Sequence, residues 1–261
     1  MTYRHAIVRT GHQDLAGGAV LHSAPGFPAF PVRLASEIFQ RALALRGGDQ
    51  PAVLWDPCCG SGYLLTVVTL LHRRRIASVL ASDLDPEARK LAERNLALLS
   101  QAGLAARAAD LRARAARFDK PAYDSAARAA HRLAAELDAA GGDMPHAVRQ
   151  ADAFDPDQLQ RTLGHHAPDI VITDVPYGEQ THWRGPSAAA GVTGMVDALT
   201  AVLPHDSVIA VTARGRKVLS DRGPRPRTSF KIGTRAVALF RTSERPRTRG
   251  AVKKRVTSRQ P

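Results

Sequence analysis

The chain is poor in cysteine, in aromatic residues and in long apolar runs, and each shortage excludes a class of protein. Its two cysteines, Cys58 and Cys59, are neighbours. Adjacent thiols cannot build a disulfide framework, and two thiols without a histidine cluster cannot build a structural zinc site. No metal is expected, and a reducing cytoplasm is the expected compartment. No stretch approaches the roughly 18 apolar residues of a membrane-crossing helix. The opening Met1-Thr2-Tyr3-Arg4-His5 leads into polar and glycine-rich residues rather than an apolar signal core, so no export is expected. Wholesale disorder is excluded by the remainder. The 261 residues are 44% hydrophobic, enough to bury one continuous core.

Acidic residues are scarce in one place. Residues 1–212 hold 21 basic and 22 acidic side chains, a net of −1. Residues 213–261 hold 16 basic side chains against Asp221 and Glu244 alone, a net of +14. The plain reading of such a block is a solvated tail; a density of one sign this high points instead to a polyanionic partner. Pro224, Pro226 and Pro246 interrupt any amphipathic helix that a membrane surface would hold, which leaves nucleic acid. The tail from Arg245 to Arg259 is expected to add salt-sensitive, sequence-independent affinity.

Along the chain, strand-like and helix-like segments alternate. Residues 23–33, with three prolines, read as irregular. A helix is expected over Leu34–Leu45, stopped by Gly47-Gly48, and a strand over Ala52–Trp55. The apolar helix Tyr63–Leu71 carries Arg73-Arg74-Arg75 into its last turn, where cations suit the helix dipole. Next come a strand at Ile76–Ala81 and a helix from Pro86 to about Leu99. Residues 103–141 break this rhythm as a helical hairpin, Leu104–Phe118 and Pro121–Ala140, with Asp119 as cap of the second helix. Strands resume at Ala147–Gln150, Asp169–Thr173, Ser207–Thr212 and Arg235–Arg241. The alternation predicts an α/β fold, a doubly wound and mostly parallel sheet. One domain over residues 1–242 with the insertion at about 103–141, then a basic, flexible tail over 243–261, is the expected organisation.

Two turns carry the chemistry. The first strand opens into Asp56-Pro57-Cys58-Cys59-Gly60-Ser61-Gly62 and a helix, where glycines let backbone approach a ligand closely. Asp83 lies 21 residues beyond Gly62, at the end of the second strand. A doubly wound fold uses a carboxylate there to hold the ribose hydroxyls of an adenosine cofactor. Position 65 is leucine, so the third glycine of a dinucleotide fingerprint is missing, and a cofactor with an amino-acid tail is favoured over a pyrophosphate. The cysteines read as small residues packed beside this turn, not as nucleophiles. The second turn follows Ile170-Val171-Ile172-Thr173, a strand buried on both faces, and reads Asp174-Val175-Pro176-Tyr177-Gly178.

The first turn resembles motif I of the class I S-adenosylmethionine-dependent methyltransferases, and Ala81-Ser82-Asp83-Leu84-Asp85-Pro86 resembles their second motif. The resemblance implies a seven-stranded Rossmann-like sheet. It implies that Asp56, Cys59, Gly60 and Gly62 line the cofactor, with the glycines behind its methionine part. Asp83 would chelate the ribose and Asp152, after the third strand, would read the adenine; S-adenosylhomocysteine is the implied product. Asp85 competes for the ribose but also suits a helix cap, and Asp152 has the same alternative.

Asp174-Val175-Pro176-Tyr177 is similar to the Asp/Asn-Pro-Pro-Tyr motif of methyltransferases acting on nitrogen, with Val175 in place of the first proline. A ring-conjugated nitrogen is a poor nucleophile, so acceptors that hold its hydrogen help direct its lone pair. Asp174 and the carbonyl of Val175 or Pro176 are candidate acceptors, and Tyr177 offers a face for an extruded base. Trp183, in the loop that follows, stacks a neighbouring base or anchors the loop.

Longer strings resemble the avilamycin-resistance ribosomal RNA methyltransferases: residues 23–43, Leu54–Thr66, Asn95–Ser100 and Lys231–Arg235. That resemblance implies methylation of a guanine of 23S rRNA at N1, blocking orthosomycin antibiotics on the large ribosomal subunit. It also makes the 103–141 hairpin part of the family's architecture. Residues 9–21 look like an insertion relative to it. Arg33, Arg214, Arg216, Lys217 and Arg235 are the candidate phosphate contacts. No protein partner is implied, and a monomer is expected. The residues alone leave open N1 against an exocyclic amine, RNA against DNA adenine or a small molecule, and a non-catalytic RNA-binding protein on the same fold.

Overall fold

The computed structural model describes residues 3–7, 12–16, 19–175, 188–215, 217–218 and 224–242. In chain order the elements are α1 (Gln13–Ala16), α2 (Val32–Arg46), β1 (Ala52–Asp56), α3 (Tyr63–Leu71), β2 (Ile76–Asp83), α4 (Pro86–Leu96), α5 (Gln101–Phe118) and α6 (Pro121–Ala139). They continue through β3 (His146–Gln150), α7 (Pro156–Leu163), β4 (Ile170–Asp174), α8 (Gly191–Val202), β5 (Val208–Arg214), β6 (Thr228–Ile232) and β7 (Arg235–Arg241). The seven strands form one sheet in the order β3-β2-β1-β4-β5-β7-β6. Neighbours from β3 to β5 run parallel, and β7 is antiparallel to both β5 and β6.

Strand alternation divides the core. Leu54, Ile170, Ile172, Val208 and Ala210 face the layer of α2, α3 and α4. Trp55, Val171, Ile209 and Val211 face the layer of α7 and α8. That period of two explains why β4 reads as an unbroken branched run: both its faces are covered. The strand order reverses between β1 and β4, the position at which open parallel sheets bind ligands beyond their carboxyl ends.

Several expected boundaries move. The Pro-rich segment ends earlier than expected, because Pro31 is the cap of α2 and Val32 and Arg33 are helical. Arg73–Arg75 form a separate 3-10 turn after α3, where Arg73 donates to the carbonyls of Gly142 at 2.7 Å and Asp143 at 2.8 Å. The hairpin is present as α5 and α6, but Asp119 does not cap α6. It ends α5 in the left-handed region at φ 48°, and Lys120 occupies the cap position before Pro121. Asp85 does cap α4, accepting from Glu87 N at 2.9 Å.

The N-terminal segment is tied to the hairpin rather than set apart as an appendage. Asp14 accepts from Arg132 at 2.6 and 2.7 Å, and Arg107 donates to Val20 O at 2.7 Å and Ala19 O at 3.1 Å. Leu15, Val20 and Leu21 are buried in the main core, and the Tyr63 hydroxyl donates to Leu15 O at 3.1 Å. Farther up the chain, Glu37 is fully buried and accepts from the backbone N–H groups of Arg4, His5 and Ala6 at 2.8, 2.9 and 2.8 Å. Its fourth donor is Arg41 Nε at 2.7 Å.

Candidate active site

Every strand that ends in a predicted polar residue ends on the same rim. Asp56, Asp83 and Asp174 close β1, β2 and β4, and the registers Asp56↔Ala81 and Asp83↔Gln150 place them along one carboxyl edge. Arg235 opens the antiparallel β7 opposite Arg214, the last residue of β5, so it reaches the same edge from the other direction.

At the first turn, Gly60 and Gly62 adopt φ of 52° and 71°, which side-chain-bearing residues rarely take. Their surroundings differ. A methyl group on Gly62 would meet Leu96 Cδ1 at 2.7 Å and Ala92 at 3.1 Å, so this glycine lets α3 start hard against α4. A methyl group on Gly60 would meet, among the described residues, only the Phe27 ring, at 3.8 Å, so none of them fills its outer side. Gly60 N donates to Asp83 Oδ2 at 2.8 Å and Asp85 N to Asp83 Oδ1 at 2.9 Å, which orients the Asp83 carboxylate against the turn. An ionised carboxylate has about four acceptor positions, so roughly two remain. Burial pushes Asp83 above the ordinary carboxylate range, with these two N–H groups opposing.

Asp56 is almost fully buried and accepts from Cys58 N at 3.0 Å. Burial pushes it up to about 8; the Thr173 side chain and Cys58 N–H oppose the rise, and the nearby Asp83 and Asp174 add to it. Burial also drives both thiols up, with Asp83 and Asp56 adding to the effect. Cys58 and Cys59 therefore stay protonated, as expected of packing residues. Asp152 lies close enough to bear on Cys58 and accepts from Phe154 N at 3.0 Å. It does not cap the helix that follows, since Asp155 takes that role for α7.

Asp174 sits at the end of β4, and Val175 N donates to Thr212 O at 2.9 Å just beyond it. A proline at 175 could not make that bond, a physical reason for the departure from the Pro-Pro motif. Burial raises Asp174 to about 6 against the pull of Arg235 and Arg214. Arg235 Nη1 donates to both carboxylate oxygens, at 2.6 and 2.7 Å. The guanidinium lies 4.5 Å over the Phe30 ring and the residue is 5% exposed.

The predicted RNA-binding residues are thus not one surface patch. Arg235 is buried against Asp174. Arg33 belongs to the N-terminal segment: its Nε donates to Ala6 O at 2.8 Å and its guanidinium covers the Tyr3 ring at 3.8 Å. Arg214 and Lys217 are exposed on the β5 side of the rim. Pro176, Tyr177, Trp183, Arg216 and the tail from 243 lie outside the described residues. Phe27 and Phe30, which bracket the site from Gly60 to Arg235, were not anticipated. The available signal was two aromatics, each followed by proline, in a chain that is only 5% aromatic.

A sheet of this order, with a glycine turn after β1 and an acidic residue closing β2, is the class I methyltransferase type of fold that the sequence resemblance implied. A family model described as rRNA methyltransferase AviRa matches residues 1–235. The chain belongs to the AviRa family of rRNA methyltransferases. A 23S rRNA (guanine(2535)-N(1))-methyltransferase of Streptomyces viridochromogenes is 55% identical over 242 residues, 93% of this chain and 96% of the relative. Two solved structures of rRNA methyltransferase AviRa from that organism match at TM-score 0.86, with 52% and 55% identity; each alignment covers 93% of this chain and 97% of the other.

Proposed function

We propose that the protein transfers a methyl group from S-adenosylmethionine to N1 of a guanine in 23S rRNA of the large ribosomal subunit, and that the product resists orthosomycin antibiotics such as avilamycin. The observation that carries this reading is the gathering of Asp56, Asp83 and Asp174 on one rim, in a chain 55% identical to a guanine-N1 enzyme.

The residues fit the cofactor. It is cationic at both its ammonium and its sulfonium, and the rim presents three carboxylates to it. Asp56, held largely neutral by burial, gains most from an ammonium group, because an opposite charge favours the ionised form. The open side of Gly60 admits the methionine part, the remaining acceptor positions of Asp83 suit the ribose hydroxyls, and Asp152 is the candidate for the adenine. The cofactor supplies an electrophilic methyl group when bound. This chain's own contribution is alignment and a proton acceptor. N1 of neutral guanine carries a proton, and Asp174 takes it as the nitrogen's lone pair turns to the methyl group. Pro176 and Tyr177 complete the catalytic turn in this reading, with the Tyr177 ring stacking the extruded base. Arg214, Arg216 and Lys217 then meet the backbone phosphates, and Trp183 a neighbouring base.

Primer extension on 23S rRNA from cells with and without the protein tests the proposal. A reverse-transcriptase stop at one guanine, present only with the protein and lost in Asp174→Asn, is the expected result. Methylation detected on an exocyclic amine, which does not require loss of a ring proton, would overturn the N1 assignment.

A further inference from the structure

We propose that Arg235 is a positioning residue for methyl transfer: clamped between the Phe30 ring and the Asp174 carboxylate, it sets the orientation and the charge of the group that accepts the substrate's proton. The inference rests on the reading of Asp174 given above and adds to it a residue that touches neither base nor cofactor.

The geometry is that of a clamp. One guanidinium nitrogen, Nη1, lies 2.6 and 2.7 Å from the two Asp174 oxygens, so the carboxylate cannot turn about its axis without losing one of them. The ring of Phe30 closes the other side at 4.5 Å. Three distant parts of the chain meet here: the Pro-bracketed segment before α2, the end of β4, and the start of β7 after the turn at Gly233-Thr234. Arg235 is 5% exposed, so it is ill placed for a phosphate, the role its charge suggested in the sequence. Burying an ion pair returns little stability for the desolvation it costs, whereas a fixed orientation is what such a pair does supply.

The electrostatics of the surroundings point the same way. From β7 and β5, Arg235 and Arg214 favour the ionised form of Asp174. From β1, the Asp56 carboxyl opposes it whenever Asp56 is itself ionised, and burial opposes it throughout. Without Arg235, Arg214, on the exposed end of its strand, is the remaining cation among the described residues that favours the ionised form against burial. The carboxyl would then be protonated near neutral pH, and a protonated acid cannot accept the N1 proton.

The test compares wild type, Arg235→Met, Arg235→Lys and Asp174→Asn. Single-turnover methylation of 23S rRNA is followed against pH, with S-adenosylmethionine affinity by calorimetry and the Asp174 carboxyl titrated by carbon NMR in the free protein. In wild type the acid limb should fall with a midpoint near 6. In Arg235→Met both this limb and the NMR titration should move up by about one pH unit or more, with cofactor affinity kept within about threefold. Arg235→Lys retains the charge without the straddling contact, so it should restore the limb but not the full plateau rate. Should the Met variant fail to fold, the Lys variant decides alone: a wild-type plateau would overturn the proposal. An unmoved limb and NMR titration in Arg235→Met would also overturn it, as would an rRNA salt slope reduced by about one, the mark of a lost phosphate contact. A wild-type rate in Asp174→Asn would instead remove the reading of Asp174 on which the proposal stands.

Discussion

Glu37, under the N-terminal segment, and Asp56, at the glycine turn, are both carboxyl groups with almost no contact with solvent, at 0% and 2% exposure, yet they are pushed in opposite directions. For Glu37, burial alone would raise the value, but the N–H groups of Ala6, Arg4 and His5 and the Arg41 side chain outweigh it and hold the group at about 2. Among the described residues Asp56 accepts from one N–H group, that of Cys58, and burial carries it to about 8. The difference is in the number of donors and also in depth: the Asp56 carboxyl lies wholly in the interior, whereas that of Glu37 sits nearer the surface. A buried carboxylate with its acceptor positions filled is a finished structural joint, here pinning residues 4–6 to α2. One with acceptor positions unmatched is costly until something brings donors to it, and the rim holds such a group where an ammonium-bearing cofactor is proposed to sit.

The largest effect that would sharpen this contrast is on the rate. Asp174→Asn keeps the shape of the side chain but accepts no proton, so methylation should fall by roughly 10²–10⁴-fold while cofactor affinity persists. A single-turnover assay beside calorimetry separates the two.

Glu37→Gln should show what a filled joint contributes. It places an amide NH₂ among four donors, and urea melts should lose about 3 kcal/mol. Wild-type stability from this group is present above 4.5 and is lost as pH falls through about 2, so the variant should lack that acid-side loss. Equal acid sensitivity in both proteins would break the comparison.

Gly62→Ala should cost about 1–3 kcal/mol, since its methyl group meets Leu96 and the Ala92 backbone in a left-handed conformation. Gly60→Ala has the same backbone strain without the collision. It should destabilise by only about 1 kcal/mol and show its effect chiefly in cofactor affinity. Melts and calorimetry on the pair test this, and equal melts for the two would contradict the packing role of Gly62.

Asp56→Asn is expected to change stability least at neutral pH and most in its pH dependence. The folded protein keeps a proton on Asp56 that the unfolded chain releases above 3.8, so stability should decline as pH rises, until about 8. His22 and His72, both near 4 when folded against 6.5 when unfolded, act with the opposite sign below 6.5. The window from 6.5 to about 8 is therefore the informative one, and Asp56→Asn should flatten it in apoprotein melts.

Much of this arrangement was legible in short stretches. The run Ala52–Leu71 announces strand, glycine turn and helix because each state is favoured by residues within a few positions: branched and aromatic side chains, then Gly60 and Gly62, then an apolar helix. Asp83 was legible because its distance from the turn is set by one helix and one strand. Pro121 marked the start of α6 for the same local reason. By contrast β6 was missed. Thr228-Ser-Phe-Lys-Ile lies in a basic, proline-broken stretch, and only Phe230 of its five residues is buried, as suits an edge strand. Asp119 and Pro121 together looked like a cap, but α5 ends at Phe118 and α6 starts at Pro121 as expected, so the cap slot falls on Lys120 and Asp119 closes the preceding helix.

The sequence by itself determined the alternation of strands and helices, the two chemical turns and the sign of the partner, because propensity, capping and net charge act over a few residues or over the whole chain. Tertiary structure alone decided what each charge does. Arg235 and Asp174 are 61 residues apart, and Glu37 meets its backbone donors across 31 to 33. Over such separations no local pattern encodes a partner. Whether an arginine faces solvent or grips a carboxylate depends on how the sheet brings β4, β7 and the segment before α2 to one rim, and on the water excluded when they meet.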